Sequence, residues 1–236
     1  MNGVTFGSKH SYRDWGLYLK SRPIISPPSP KTVYVDLPGS DGQLDLTEAL
    51  TGEVKYDPRD VKCEFVVIAA RQRWDSIYSD IMDYLHGQQM EFVTDEDNEY
   101  MYRGRFKVDE WNSDKKTATI EISGIVEPYK LERISSLDDW VWDTFNFETG
   151  IIRELKEIRI DGEKTVEIVG SRMSVIPTFI VASDNKDGMS VTYKNKTYTL
   201  EDGNNIIPYM NIDKEGVSLK FSGSGTVSID YRGGRL

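Results

Sequence analysis

The run MYRGRFKVDEW, the turn NSDKK and the run TATIEISGIVE, together residues 101–127, constrain the fold most. Apolar and polar residues alternate with period two through both runs, so each, when extended, has one apolar and one polar face. Turn-forming residues between them predict a β-hairpin. The same period recurs along the chain. KTVYVDL sets Val33 and Val35 on one face, and VKCEFVVIA sets Val61, Cys63, Phe65 and Val67 on one face. Val66 and Ile68 are also apolar, the pattern of a strand covered on both sides. GMSVTYKNKTYTLED predicts a second hairpin about Asn195, and GTVSIDYRGG predicts a last strand with Val227, Ile229 and Tyr231 in register.

One segment breaks the pattern. In RWDSIYSDIMDYLHGQQ the residues Trp74, Ile77, Tyr78, Ile81, Met82 and Leu85 follow the 3.6-residue period of a helix with one apolar stripe. Asp75 in its first turn and His86 in its last suit the helix dipole, and Gly87 suits a left-handed C-terminal cap. The fold class expected is therefore mainly β, a sandwich or split barrel with one helix packed on the sheet of an N-terminal domain. Pro128 ends the second arm of the first hairpin, and the pattern changes after it, which places a boundary between residues 1–130 and 131–236. The second part reads as a short-stranded β-sandwich or barrel, with turns expected at Asp161-Gly162, Asp187-Gly188, Asp202-Gly203 and from Gly223 to Gly225.

The stretch VDLPGSDGQLDLTEAL sets turn formers inside an apolar, alternating segment. Pro38 and Gly39, then Asp41 and Gly42, favour turns. Leu37, Leu44 and Leu46 are read as facing one surface of an extended arm that its own domain does not bury. ISPPSPK, just before, is a stiff extended connector.

Charge and motifs narrow the function. With 29 Lys and Arg against 39 Asp and Glu, the net charge of −10 disfavours sequence-specific nucleic-acid binding unless a compact basic patch exists. Lys115 with Lys116 beside Asp114, and Arg71 with Arg73 before Asp75, do not form one along the sequence. The single cysteine, Cys63, excludes an internal disulfide and a cysteine-based metal site. FVVIAA is far short of the ~20 apolar residues that span a bilayer, and the N-terminus has no apolar signal region. These features predict a soluble protein made in a cytoplasm and not inserted in a membrane. His10 and His86 have no zinc spacing, His10 lying in a loop-like stretch and His86 at the helix end. GxSxG, GxxxxGK[ST] and GxGxxG are absent, so no catalytic, cofactor-binding or metal residue is assigned. Asp95, Asp97 and Glu99 begin a calcium-loop pattern, but Tyr100 stands where glycine is required, and a solvated hairpin loop is expected. Adjacent Asp138 and Asp139 do not suit a pair of glycosidase carboxylates. Trp140 and Trp142, with Phe145 and Phe147, form an aromatic strand that is either core or a sugar-stacking face.

Several stretches carry a resemblance. FGSKHSYRDWGLYLKSRP with Asp14-Trp15-Gly16-Leu17, the PPSPK run, VDLPGSDGQLDL and the ending SIDYRGGRL resemble the distal tail (Dit) protein family of long-tailed phages of Gram-positive hosts and related prophages, co-linearly from Phe6 to Leu236. Trp15 stands where the family pattern often has Phe. The resemblance implies a virion structural protein without catalytic activity, made in the bacterial host cytoplasm and located at the tail tip. It implies a homohexameric ring built by a tail-tube-like N-terminal domain, with a galectin-like β-sandwich C-terminal domain pointing outward. The implied partners are further copies of the chain, the tail tube protein, the tail-associated fibre or lysin protein and other baseplate proteins, with DNA and the tape-measure protein passing through the lumen. With the resemblance, Leu37, Pro38, Gly39, Asp41, Gly42, Leu44 and Leu46 become an expected inter-subunit arm, and the net charge suggests an acidic lumen that DNA passes without adsorbing. The alternative is a host carbohydrate-binding module for phage adsorption, using Trp140 and Trp142.

Overall fold

The computed structural model describes residues 3–138, 154–184 and 188–236, and is mostly strand. The chain divides into two compact units, Met1–Lys130 with Leu236, and Leu131–Arg235.

The first unit opens with β1 (Val4–Phe6), β2 (Lys9–His10), a five-residue helix α1 (Ser11–Trp15), β3 (Leu17–Leu19) and β4 (Ile24–Ile25). Next come β5 (Tyr34–Asp36), β6 (Gln43–Asp45), β7 (Arg59–Val67), α2 (Trp74–Leu85), β8 (Gln89–Thr94), β9 (Tyr100–Ser113) and β10 (Ala118–Val126). Its main sheet runs β2-β1-β8-β9-β10-β7, with β3 and β4 both paired to β7. The hairpin expected at residues 101–127 is β9 and β10, from Ser113 opposite Ala118 to Gly104 opposite Val126, with a bulge where Glu121 gives way to Ile122. The helix is α2, and it buries Trp74, Ile77, Ile81 and Leu85 in one core with Phe6, Phe65, Phe92, Phe106, Ile120 and Ile122. Phe6, Phe92 and Phe106 lie with ring centroids 5.2–5.4 Å apart, an arrangement worth more than its area burial alone. Trp15 is buried beside Tyr84, with ring centroids 5.6 Å apart.

Two expectations about this unit change. β7 is not covered on both sides: Val61, Cys63, Phe65 and Val67 are buried, whereas Lys62, Glu64 and Val66 on the other face are half-exposed. That outer face carries ion pairs, Lys62 with Glu121 at 2.7 Å and Lys20 with Glu64 at 3.4 Å, and Val66 is tolerated there because half-exposed apolar atoms cost little. The helix α1 was also missed, being too short to show a period. Gly16, at φ 67°, caps it.

Burial alone pushes the Cys63 thiol up to about 12. Cys63 in the intact protein is expected to resist thiol reagents at pH 8 and to be labelled at the rate at which the first unit opens; fast labelling without denaturant would contradict the packing.

The second unit contains β11 (Lys130–Glu132, beginning on the last residue of the first unit), β12 (Ile158–Ile168), β13 (Thr178–Ser183), β14 (Met189–Tyr193), β15 (Lys196–Leu200), β16 (Gly203–Ile206), β17 (Val217–Asp230) and β18 (Gly234–Arg235). Its sheet runs β15-β14-β17-β13-β16, with β12 also on β17, and β11 pairs β18. β14 and β15 are the hairpin expected about Asn195, turned by Lys194 and Asn195 at φ 45° and 65°. Asp161-Gly162 and Gly223 to Gly225 are not turns. They lie opposite each other in the middle of the long pair β12–β17. There β17 changes partner from β14 to β13, and a Cβ on Gly225 would lie 2.4 Å from the Ala182 carbonyl oxygen, so glycine is required by close backbone approach. Val227, Ile229 and Tyr231 are all buried in this unit's core. Asp187 lies outside the described residues, as do Asp139, Trp140, Trp142, Phe145 and Phe147.

Candidate functional site: an exposed apolar hairpin

Residues 29–57 leave the main sheet and return to it. At the root, Pro30 bridges Tyr56, the Lys31 N–H donates to the Lys55 carbonyl at 2.8 Å, and the Asp57 N–H donates to the Ser29 carbonyl at 2.8 Å. Further out, β5 and β6 pair only with each other, Tyr34 with Asp45, Val35 with Leu44 and Asp36 with Gln43. The Leu46 N–H donates to the Val33 carbonyl at 2.8 Å, which extends the same register. At the tip the Ser40 N–H donates to the Leu37 carbonyl at 3.1 Å across Pro38 and Gly39. Proline fixes φ at the second position of this turn, and Gly39 at φ 81° occupies the third, the requirements of a type II turn. Gly42, at φ 80°, redirects the chain into β6. A Cβ on either glycine would meet nothing within 4 Å, so backbone conformation rather than space demands glycine. The turn formers that interrupt the sequence pattern are therefore the tip of a hairpin.

Register decides the faces. Leu37 and Leu44 are seven residues apart, an odd spacing that puts them on opposite sides of a single extended strand. The fold-back reverses the parity, and Val33, Val35, Leu37, Leu44 and Leu46 come to share one face, while Tyr34, Asp36, Gln43 and Asp45 take the other. The Gln43 amide donates to Asp36 at 3.0 Å on that polar face, and Thr47 bonds Asp45 through its hydroxyl and through its N–H at 2.9 Å, which together hold the Asp45 carboxyl below the usual range. The five apolar residues are each 36–52% exposed, and Leu50, following β6, is 98% exposed. A two-stranded hairpin is marginal alone in water, and the apolar face of this one is left open to solvent. Sequence reading chose Leu37, Leu44 and Leu46; it did not choose Val33 and Val35 for the arm, because only the pairing places them beside the leucines.

Among the described residues, the other polar candidates are held in local hydrogen bonds and ion pairs. His10 is buried, not looped: its Nδ1 accepts the N–H groups of Tyr12 and Arg13 at 3.1 and 3.2 Å, capping α1, and its Nε2–H donates to Asp95 at 3.1 Å. Asp95 also accepts the Gly3 N–H at 2.8 Å. Burial raises the Asp95 pKa, but the bonds from His10 and Gly3, with Arg13 nearby, outweigh it, and the net shift is downward. Asp97 pairs with Lys130 at 2.5 Å. The acidic run from Asp95 is thus a short 3₁₀ turn tied to its surroundings, and among the described residues no group of three or more His, Cys, Asp or Glu is placed to hold a metal. His86 accepts the Val108 N–H at 3.1 Å. A groove of about 630 Å³ beside Tyr18, Leu19, Ile25 and Tyr102 contains the ion pair of Arg22 and Glu96. No described helix is long and apolar enough to cross a membrane.

Replacing His10 with alanine leaves two backbone N–H groups and the Asp95 carboxylate short of a partner, and is expected to cost about 1–3 kcal/mol, read as a lower urea midpoint. Because the Asp95 pKa is lowered in the fold, its stabilisation is present above the unfolded value of about 3.9 and is lost as pH falls through the folded value. Asp95→Asn is expected to flatten that acid-side loss; an unchanged acid titration of stability would contradict the pairing.

One basic cluster emerges only in three dimensions. The 3₁₀ turn Arg71–Arg73 meets the β9–β10 turn, where the Arg71 guanidinium donates to the Lys115 carbonyl at 3.4 Å. Arg71 and Lys115, far apart in sequence, thus meet at one end of the first unit, with Arg73 and Lys116 as their exposed sequence neighbours.

These features define a two-unit β protein whose most distinctive exposed chemistry is an apolar hairpin. Among solved structures, its fold is that of the Dit protein of phage SPP1, described as a paradigm of the hub adsorption apparatus in phages that infect Gram-positive bacteria: TM-score 0.65, 9% sequence identity, and 100% of each chain covered. The mainly β fold expected from the alternation, and implied again by the distal tail resemblance, is the fold observed. No family model matches the chain, and no curated protein matches it in sequence.

Proposed function

We propose that this chain is a distal tail protein, a structural hub that closes into a hexameric ring and joins the tail tube to the tail-associated fibre or lysin and the rest of the baseplate. In this reading the first unit is the tail-tube-like ring former and the second a galectin-like domain facing outward. The lumen passes DNA and the tape-measure protein, and the net charge of −10 favours an acidic wall to which DNA does not adsorb. The observation that carries the reading is the full-length likeness to SPP1 Dit, together with an arm whose apolar face the chain leaves uncovered. Leu37, Pro38, Gly39, Asp41, Gly42, Leu44 and Leu46 are the arm's inter-subunit residues, joined by Val33 and Val35. The protein acts by assembly rather than by bond chemistry and works at the virion tail tip. The sugar-binding alternative rests on Trp140 and Trp142, outside the described residues. Negative-stain electron microscopy of the concentrated protein tests the proposal: six-fold rings with a central opening are expected, and monomers or open filaments alone would contradict it.

A further inference from the structure

The chemistry of the arm specifies its receiver. From Asp36 to Glu53 the arm carries Asp36, Asp41, Asp45, Glu48 and Glu53, with no Lys or Arg between Lys31 and Lys55. A surface that covers the arm must therefore offer apolar area beside positive charge.

One end of the first unit offers both. Beyond β7, the Ile68 N–H donates to the Gly16 carbonyl at 2.9 Å and continues the β3–β7 pairing, in which Tyr18 lies opposite Val66. Alternation along the strand places Val66 and Ile68 on the face opposite the buried Phe65 and Val67, away from α2. Tyr18 is 46% and Ile68 56% exposed. Immediately beyond this strip lies Arg71, against the turn that carries Lys115 and Lys116, with the exposed Arg73 two residues on. Two acids lie near the cations, Asp75 two residues after Arg73 and Asp114, whose Oδ1 accepts the N–H groups of Lys116 and Thr117 at 2.6 and 2.7 Å and whose charge interacts with Arg71. The surface is an apolar strip bordered by cations, the complement of an apolar hairpin that carries Asp41 at its tip and Glu48 beyond β6, while Asp36 and Asp45 lie on its other face and Glu53 pairs with Lys55.

We propose that the arm of one copy docks on this end of the first unit of a second copy, its apolar face on Tyr18, Val66 and Ile68 and its Asp41 and Glu48 toward the arginine and lysine pairs. The proposal rests on the reading of the arm as an inter-copy element and supplies its acceptor. Arm and acceptor are different surfaces of one chain, so the contact is head-to-tail, the kind that closes into a ring when the rotation allows.

Charge exchange tests it in the full-length chain. Asp41→Lys with Glu48→Lys reverses charge on the arm; Lys115→Glu with Lys116→Glu reverses it on the acceptor. Each double variant alone is expected to weaken self-association in sedimentation velocity at least about tenfold. An equimolar mixture is expected to restore it, because the basic arm meets the acidic acceptor while the unmodified arm meets the unmodified acceptor. Leu37→Asp with Leu44→Asp separates the two layers of the argument. If that variant blocks association while both charge variants associate normally, this acceptor is wrong and the arm reading stands. If none of the three affects association, or the unmodified chain stays monomeric at its highest soluble concentration, both fall. If the Lys115 and Lys116 variant associates normally but loses retention of duplex DNA shown by the unmodified chain, the cluster is a nucleic-acid surface and the proposal is overturned.

Discussion

Truncating Phe106 to alanine is expected to destabilise the first unit by about 3–5 kcal/mol, a large part of the ~5–15 kcal/mol that holds a domain folded. The ring is fully buried, meets Phe6 and Phe92, and lies over Gly124, where even a Cβ would sit 2.4 Å from a ring carbon. Its loss opens a cavity at the junction of β1, β8 and β9, which the surrounding strands cannot close without breaking their ladders. Cys63 reports the effect, because its thiol lies in the same core. If labelling follows opening of the unit, 3–5 kcal/mol corresponds to a labelling rate about two to three and a half orders of magnitude faster. An unchanged rate would mean that the aromatic cluster does not hold this unit together.

The second large effect concerns association. Each of the five apolar residues on the arm keeps roughly half of its side chain in water, so covering it is worth about 1 kcal/mol per residue, or about 4–5 kcal/mol for the face as an upper figure. Leu37→Asp with Leu44→Asp removes two of these contributions and adds charges that a covered interface cannot solvate. Self-association is expected to weaken by more than about 100-fold, with the stability of the isolated chain nearly unchanged because both residues are exposed in it. Deleting residues 38–45 is expected to abolish the assembly in native mass spectrometry. An intact assembly after that deletion would refute an inter-subunit role for the hairpin.

The fold was legible where a period was long enough to read. Eleven-residue alternation announced β9 and β10, and the 3.6-residue stripe announced α2, because burial of one face leaves a repeating mark on the sequence. Signals that depend on pairing were less legible. The glycines of β17 look the same in sequence whether they turn a chain or let strands approach, and only the change of partner from β14 to β13 distinguishes the two. The arm shows the same limit. Its turn formers and leucines are visible, yet its apolar face exists only once Val35 stands opposite Leu44. His10 looked like a loop residue because its three partners are backbone groups and an acid 85 residues away. The basic cluster was invisible because Arg71 and Lys115 are 44 positions apart. Function was less legible still: the sequence carries none of the GxSxG, GxxxxGK[ST] or GxGxxG motifs to point to a chemistry, and the reading came from co-linear resemblance, which the full-length fold likeness supports at 9% identity.

The central claim is that this chain leaves apolar surface for copies of itself to cover. Light scattering on the intact protein across a wide concentration range tests it most directly. The mass is expected to rise from that of the 27.0 kDa chain towards six copies as concentration increases. A mass fixed at one copy up to the solubility limit would contradict it.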